Sequence, residues 1–398
     1  MPLNVRFSEE EKYLLVLLKA ALNGEEALHA DKGLVKTNLV AEVAKKHSVF
    51  SILYNELQNM TVTQEEKIQI EKHCHQIVLQ NYRLLFLTKY LVELLQQNQI
   101  PALVLKGVST ASWYPVPELR KSGDVDLLIP KDIKASMVAV ILKDAGFVEK
   151  SQQHANYHLE FISQDGIAVE IHTDFTEKFA DKRINASMEQ QVQGGFNSAV
   201  MDSAMGIELP MLSRAYHAYE LLLHMLHHFT TSGFGLKLLC DWVVCWNQDW
   251  LREEKDYFQQ LTKESATERF AEAVTEICVV YLGLKQEKFA WDYNNTEIPT
   301  QELLREILDA EEFGRNDNNR MVMMSGTGLM DYVREFHHQM HLNFPKAGKC
   351  FLLWPVLWVI TLVRFLRNNK QVRNTSTREI LKEAKRRSEL MERLKLMR

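Results

Sequence analysis

Asp124 and Asp126 stand two residues apart at the head of an apolar run, with Val125 between them and Leu127-Leu128-Ile129 after them, bounded by Gly123 and Pro130. The run reads as a buried strand, and side chains at i and i+2 of a strand point to the same side. Two carboxylates aimed at one point repel unless a cation or a proton sits between them. Magnesium, a hard ion that prefers carboxylate and phosphate oxygen, is the natural cation. An isolated Asp-x-Asp is more often a solvated strand end, so the residues around the pair have to decide.

Upstream, Ala102 to Leu105 reads as a short apolar strand that runs into Lys106-Gly107, after which Val108 to Trp113 has the makings of a brief helix. A strand, a glycine and a helix start suit a phosphate, because exposed N–H groups and the helix dipole attract an anion and a lysine adds a point charge. Downstream, Ile167 to Ile171 reads as a second strand with Glu170 and His172 on one face. Three carboxylates on neighbouring strands opposite a glycine turn match the layout of two-metal phosphoryl or nucleotidyl transfer.

The order Leu105-Lys106-Gly107, Tyr114-Pro115, Arg120, Gly123-Asp124-Val125-Asp126-Leu127-Leu128-Ile129 and Val169-Glu170-Ile171-His172 resembles a family of largely uncharacterised bacterial nucleotidyltransferases of the polymerase-β-type superfamily. The resemblance implies Mg²⁺ or Mn²⁺ binding by Asp124, Asp126 and Glu170, with an NTP as substrate and an unidentified hydroxyl-bearing acceptor. Phosphate neutralisation is then expected from Lys106, the Gly107 and Ser109 region, and Arg120, while His172 orients Glu170 or a phosphate. Two departures stand out: Val108 follows Gly107, leaving Ser109 one place later than usual, and the span from Gly107 to Asp124 is longer than in compact members. Trp113 and Tyr114 are read as packing residues rather than a platform for the base.

The fold expected is α+β: a small mixed-sheet nucleotidyltransferase core within a mostly helical chain. After Pro130 an amphipathic helix with apolar Ile133, Met137, Val140 and Ile141 stops at Gly146. Strands follow over 147–149, 155–162 and 167–173, the last two joined by a turn at Gln164-Asp165-Gly166. The divisions expected are an N-terminal helical region over 1–80, the core over 81–200, a C-terminal helical domain over 201–345 and an apolar-then-basic tail over 346–398. Helices are expected to start at Ser8 and Thr63, each followed within three residues by glutamates. No G-x-G-x-x-G or Walker A sequence is present.

With 398 residues, 46% hydrophobic and 25% charged, the composition is that of an ordinary globular protein able to bury a large core. A net charge of −5 argues against bulk nucleic-acid binding. Five scattered cysteines without a C-x-x-C pair, and an N-terminus lacking a basic-then-apolar signal, lead to the expectation of a cytoplasmic protein.

Helical periodicity returns from 208 to 287, where His224 and His228 lie one turn apart and Asp241 follows a Gly233-Phe234-Gly235 break. These residues fit packing on an apolar helix, and they also fit a helix that closes over the nucleotide. Arg315, in the polar break over 312–320, is a candidate anion contact or a solvated loop residue. Phe351 to Val363 is the most apolar stretch, too short for the roughly 20 residues a bilayer span needs. From Arg364 to Arg398 there are twelve Lys or Arg against four Asp or Glu, a balance of +8 that leaves −13 on the rest of the chain. This tail suits either a peripheral anchor on an anionic inner-membrane face or a core helix followed by a solvated one. Beside the enzyme stand two other readings: a catalytically silent nucleotide-binding regulatory or antitoxin-like module, and a peripheral membrane scaffold.

Overall fold

The central strand carries the Asp-x-Asp pair because the apolar residues alternating with it have cores to enter on both sides of a sheet. Among the described residues seven strands join one mixed sheet: β1 (Leu103–Val104), β2 (Asp124–Leu128), β3 (Val148–Glu149), β4 (His158–Ile162), β5 (Ala168–His172), β6 (Val200–Ala204) and β7 (Ile207–Met211). Their spatial order is β3-β4-β5-β2-β1-β7-β6. β2 runs parallel to β5 and antiparallel to β1, while β7 lies parallel to β1. This computed structural model describes residues 6–25, 37–60, 63–150, 158–179, 181–289, 299–312, 351–371 and 389–394, with some positions between 333 and 350. Arg315 lies outside the described residues.

The helices are α1 (Glu9–Asn23), α2 (Thr37–Lys46), α3 (Tyr54–Gln58), α4 (Gln64–Gln97), α5 (Val108–Ala111), α6 (Ala135–Asp144), α7 (Lys182–Asn197), α8 (Arg214–Thr230), α9 (Leu236–Asn247), α10 (Arg252–Glu264), α11 (Glu268–Leu282), α12 (Thr300–Ala310) and α13 (Trp354–Gln371). α1 and α4 begin where the glutamates promised, each with a reciprocal capping box, Ser8 with Glu11 and Thr63 with Glu66. α4 runs unbroken through residue 80 and serves two cores. Its Ile70 and Cys74 join the helical core, and its Leu84, Leu91 and Leu95 cover the sheet.

The two faces of β2 separate these cores. Val125 and Leu127 point with Val169 and Ile171 into the layer under α4 and α6, whereas Leu128 belongs to the helical core. Asp124 and Asp126 share the parity of Leu128, so the carboxylates look toward the helices and away from α4. Each fully buried Leu or Phe of the sheet layer, such as Leu142 and Phe161 at 0% exposure, contributes about 1.5–3 kcal/mol. Together they make the strand a rigid mount.

Three local features differ from the sequence reading. On α6 the buried stripe is Val138, Ala139 and Leu142, while Met137 and Val140 face solvent at 48% and 58% exposure; Val138 and Leu142, four apart, form the line that meets the sheet. The segment from 208 begins as β7, and α8 starts only at Arg214. β6 and β7 make a hairpin with positive φ at Met205 and Gly206, the backbone of a type I′ turn.

Candidate active site

Parallel pairing of β2 with β5 sets Asp126 directly beside Glu170 and Leu128 beside His172. β4 continues the row, with Glu160 opposite Glu170 and His158 opposite His172. The result is a carboxylate row across three strands with a histidine pair one step along. Asp126, Glu170 and His172 bring ligand atoms within 4.8 Å of one another, and His158, Glu160 and Glu170 form a second such group. Asp124 stands outside both groups among the described residues. Its charge still meets that of Asp126, whose repulsion, with burial, pushes the Asp124 carboxyl up to about 6.

Asp126 is 1% exposed. Its Oδ1 lies 3.2 Å from Lys106 Nζ and 3.0 Å from His172 Nε2, and the same His172 nitrogen is 3.3 Å from Glu170 Oε2. Burial works against ionising Asp126, but Lys106 and His172 prevail and hold its carboxyl down to about 2. His172 is raised to about 9, because its bonds to Asp126 and Glu170 outweigh the burial that disfavours its charge. Lys106 likewise stays charged above the ordinary lysine range, burial being offset by Asp126, Asp124 and Glu170. Asp126 Oδ2 is buried and has no hydrogen-bond partner. A buried acceptor without a donor is costly, and a carboxylate oxygen left open beside the Glu170 carboxylate fits a divalent cation.

The turn between β1 and α5 is shaped by Gly107, whose φ of 70° lies in the region that favours glycine. Its carbonyl accepts a 3.2 Å bond from Arg120 Nη1. Arg120 itself is 4% exposed and grips Asp241 of α9 with two bonds of 2.7 Å, through Nε and Nη2. Tyr114 donates to the same carboxylate at 2.7 Å. Arg120 is therefore placed to tie the glycine turn to the helical half, with its guanidinium directed at protein groups. Ser109 is fully buried, and its hydroxyl donates back to the Leu105 carbonyl at 3.0 Å. Of the residues named from sequence, the structure gathers Asp126, Glu170, His172 and Lys106 at one point, with Asp124 and Gly107 beside them; Ser109 and Arg120 support the turn. Trp113 packs against His217, ring centroids 4.2 Å apart.

α8 covers this face. Burial lowers the pKa of His224 well below the imidazole range and brings His228 down to about 3, and the charge of Lys106 adds to both effects. The two rings meet edge-on at 4.4 Å. Both imidazoles are therefore held neutral within range of the lysine's charge. Two residues escape sequence reading. Lys237, on the first turn of α9 and 3.6 Å from Glu312, reaches Asp124 with its charge. Glu220, one turn before His224, is fully buried with neither carboxylate oxygen partnered. A lone glutamate in the apolar stretch Ala218-Tyr219-Glu220-Leu221-Leu222-Leu223 was the available signal.

Burial pushes the Glu220 carboxyl up to about 8, with Lys106 opposing and Asp126 assisting. A carboxyl that holds its proton more tightly folded than unfolded gives stability that is complete in acid and is lost as pH rises from 4.5 through about 8. Glu220→Gln is neutral throughout. The variant should gain on the wild type across that window by on the order of 1 kcal/mol per pH unit, read from urea unfolding at several pH values. A difference that does not change with pH contradicts this.

A family model described as "Uncharacterised nucleotidyltransferase" matches residues 35–283 of the chain, a span that contains the whole sheet and α8 to α11. Among solved structures, an antigenic nucleotidyltransferase-like protein from Paracoccidioides brasiliensis is similar at 17% identity and a TM-score of 0.34, covering 51% of this chain and 93% of that one. A search of curated proteins finds no match.

Proposed function

Because the chain belongs to the family of uncharacterised nucleotidyltransferases, we propose that it moves a nucleoside monophosphate from an NTP to a hydroxyl-bearing acceptor at the Asp126–Glu170 site, with Mg²⁺ or Mn²⁺ as cofactor. The observation that carries this reading is the register of β2 against β5, which sets Asp126 and Glu170 side by side with Asp126 Oδ2 open. Asp124, Asp126 and Glu170 are the residues assigned to the metal, and His172 is the group that orients both Asp126 and Glu170. A bound divalent ion would supply electrostatic stabilisation of the attacking and leaving oxygens of an in-line displacement. The chain's own contribution is positioning and charge.

Lys106, held charged at the edge of the carboxylates, is assigned to the triphosphate, where it offsets negative charge on the leaving pyrophosphate. The N–H groups that follow Gly107 are assigned to the same anion. Arg120 acts one step back, keeping the turn in place through the Gly107 carbonyl. His224 and His228, kept uncharged, offer hydrogen bonds without adding charge next to Lys106.

The test is an NTP labelled at the α-phosphate, incubated with Mg²⁺ and a panel of sugars, small alcohols, hydroxyl-bearing proteins and nucleic-acid ends. Transfer of label with stoichiometric pyrophosphate is the expected result. Metal-dependent nucleotide binding with no pyrophosphate from any acceptor would instead make the chain a nucleotide-binding module.

A further inference from the structure

The helix that opens the C-terminal tail turns its apolar side outward. Within α13, Leu357 and Thr361 face inward at 7% and 4% exposure. The indoles of Trp354 and Trp358 also attach this side to the chain, donating to the Gly348 carbonyl at 2.7 Å and to His337 Nδ1 at 3.2 Å. The opposite side carries Val356, Val359, Ile360 and Val363, exposed by 58%, 60%, 38% and 46%. Their i, i+3, i+4, i+7 spacing makes one continuous stripe. Phe351 and Leu352, at 68% and 73%, extend it at the helix start. Contiguous exposed apolar surface of this kind marks a site of contact.

Charge identifies the occupant. Arg364 is exposed at the end of the stripe, and residues 364–388 hold nine Lys or Arg against two Asp or Glu, a balance of +7. A second copy seated on the stripe would bring two such segments together, whereas an anionic surface is complementary to them. No helix among the described residues is long and apolar enough to cross a membrane. We infer that residues 351–364 lie along an anionic lipid surface, with the Val356–Val363 stripe at the acyl boundary and the positive charge of the sequence after it drawing the chain to the headgroups. An apolar stripe with a cationic continuation is what an interfacial helix is built from. The rest of the chain, acidic in balance, stays in the water phase above it.

Sedimentation of the full chain with phosphatidylglycerol–phosphatidylcholine vesicles tests this. Binding should exceed that to pure phosphatidylcholine by about tenfold or more and should fall steeply with added salt. Val356→Glu and Val359→Glu, both at exposed positions, should each weaken it by about tenfold, with thermal stability unchanged. Salt dependence on the unmodified protein gives an answer even where a variant folds poorly. Absence of sedimentation with anionic vesicles overturns the inference, as does binding that neither variant reduces. A dimer in light scattering that Val359→Glu dissociates, with no vesicle binding, assigns the stripe to a second copy instead.

Discussion

Asp126→Asn should remove Mg²⁺-dependent nucleotide binding and lower any transfer rate by at least about 10²-fold. That is the upper end of what loss of a group merely supporting a metal ligand costs, and Asp126 is assigned as a ligand itself. The side chain keeps its size, so the buried strand keeps its packing, but one carboxylate charge vanishes between Lys106 at 3.2 Å and His172 at 3.0 Å. Those two cations are then left facing Glu170 and Asp124 alone, and a divalent ion has no neutralising oxygen at the centre of the row. Thermal unfolding measures this without knowledge of the acceptor. With Mg²⁺ and a non-hydrolysable NTP at a hundred times the dissociation constant, wild type should gain about 2.7 kcal/mol. The variant should gain almost nothing under the same conditions. Equal gains in both proteins would remove Asp126 from the metal.

The second large effect is structural. Asp241 is fully buried, takes two 2.7 Å bonds from Arg120 and one from Tyr114, and is held ionised below the carboxylate range because Arg120 overcomes the burial that opposes its charge. Asp241→Leu leaves an uncompensated guanidinium in the interior and should cost about 3–5 kcal/mol. Replacing both partners, Arg120→Met with Asp241→Leu, should recover much of that loss, since an apolar pair of similar volume pays no desolvation of charge. The double variant should nonetheless bind nucleotide poorly, because the Gly107 carbonyl has lost the donor that fixes the turn. Urea unfolding of the three proteins checks the first part and nucleotide titration the second. A cost under about 1 kcal/mol for Asp241→Leu would mean the pair behaves like an exposed one.

What sequence could deliver was set by distance along the chain. Asp124, Asp126, Glu170 and His172 were legible because strand parity is local: apolar neighbours at alternate positions force the polar ones to the other face. Ser8 and Thr63 were legible for the same reason, each cap being complete within four residues. The Arg120–Asp241 pair joins residues 121 apart, and nothing near either one announces the other. Sequence therefore offered Arg120 only as a phosphate contact, and its bonds to Asp241 and to the Gly107 carbonyl could be seen only in the structure. The β6–β7 hairpin escaped because Met205 occupies a positive-φ place where asparagine or glycine would have signalled it. On α6 both sides carry apolar residues, so periodicity could not tell which would meet the sheet.

The convergence of Asp126 and Glu170 on a divalent cation is the point from which the functional reading follows, and Mn²⁺ titration followed by paramagnetic resonance addresses it directly. In the presence of ATP, wild type should take Mn²⁺ out of solution, and Glu170→Gln should weaken that uptake by about tenfold or more. Identical Mn²⁺ uptake by wild type and Glu170→Gln would contradict a metal site shared by these two carboxylates.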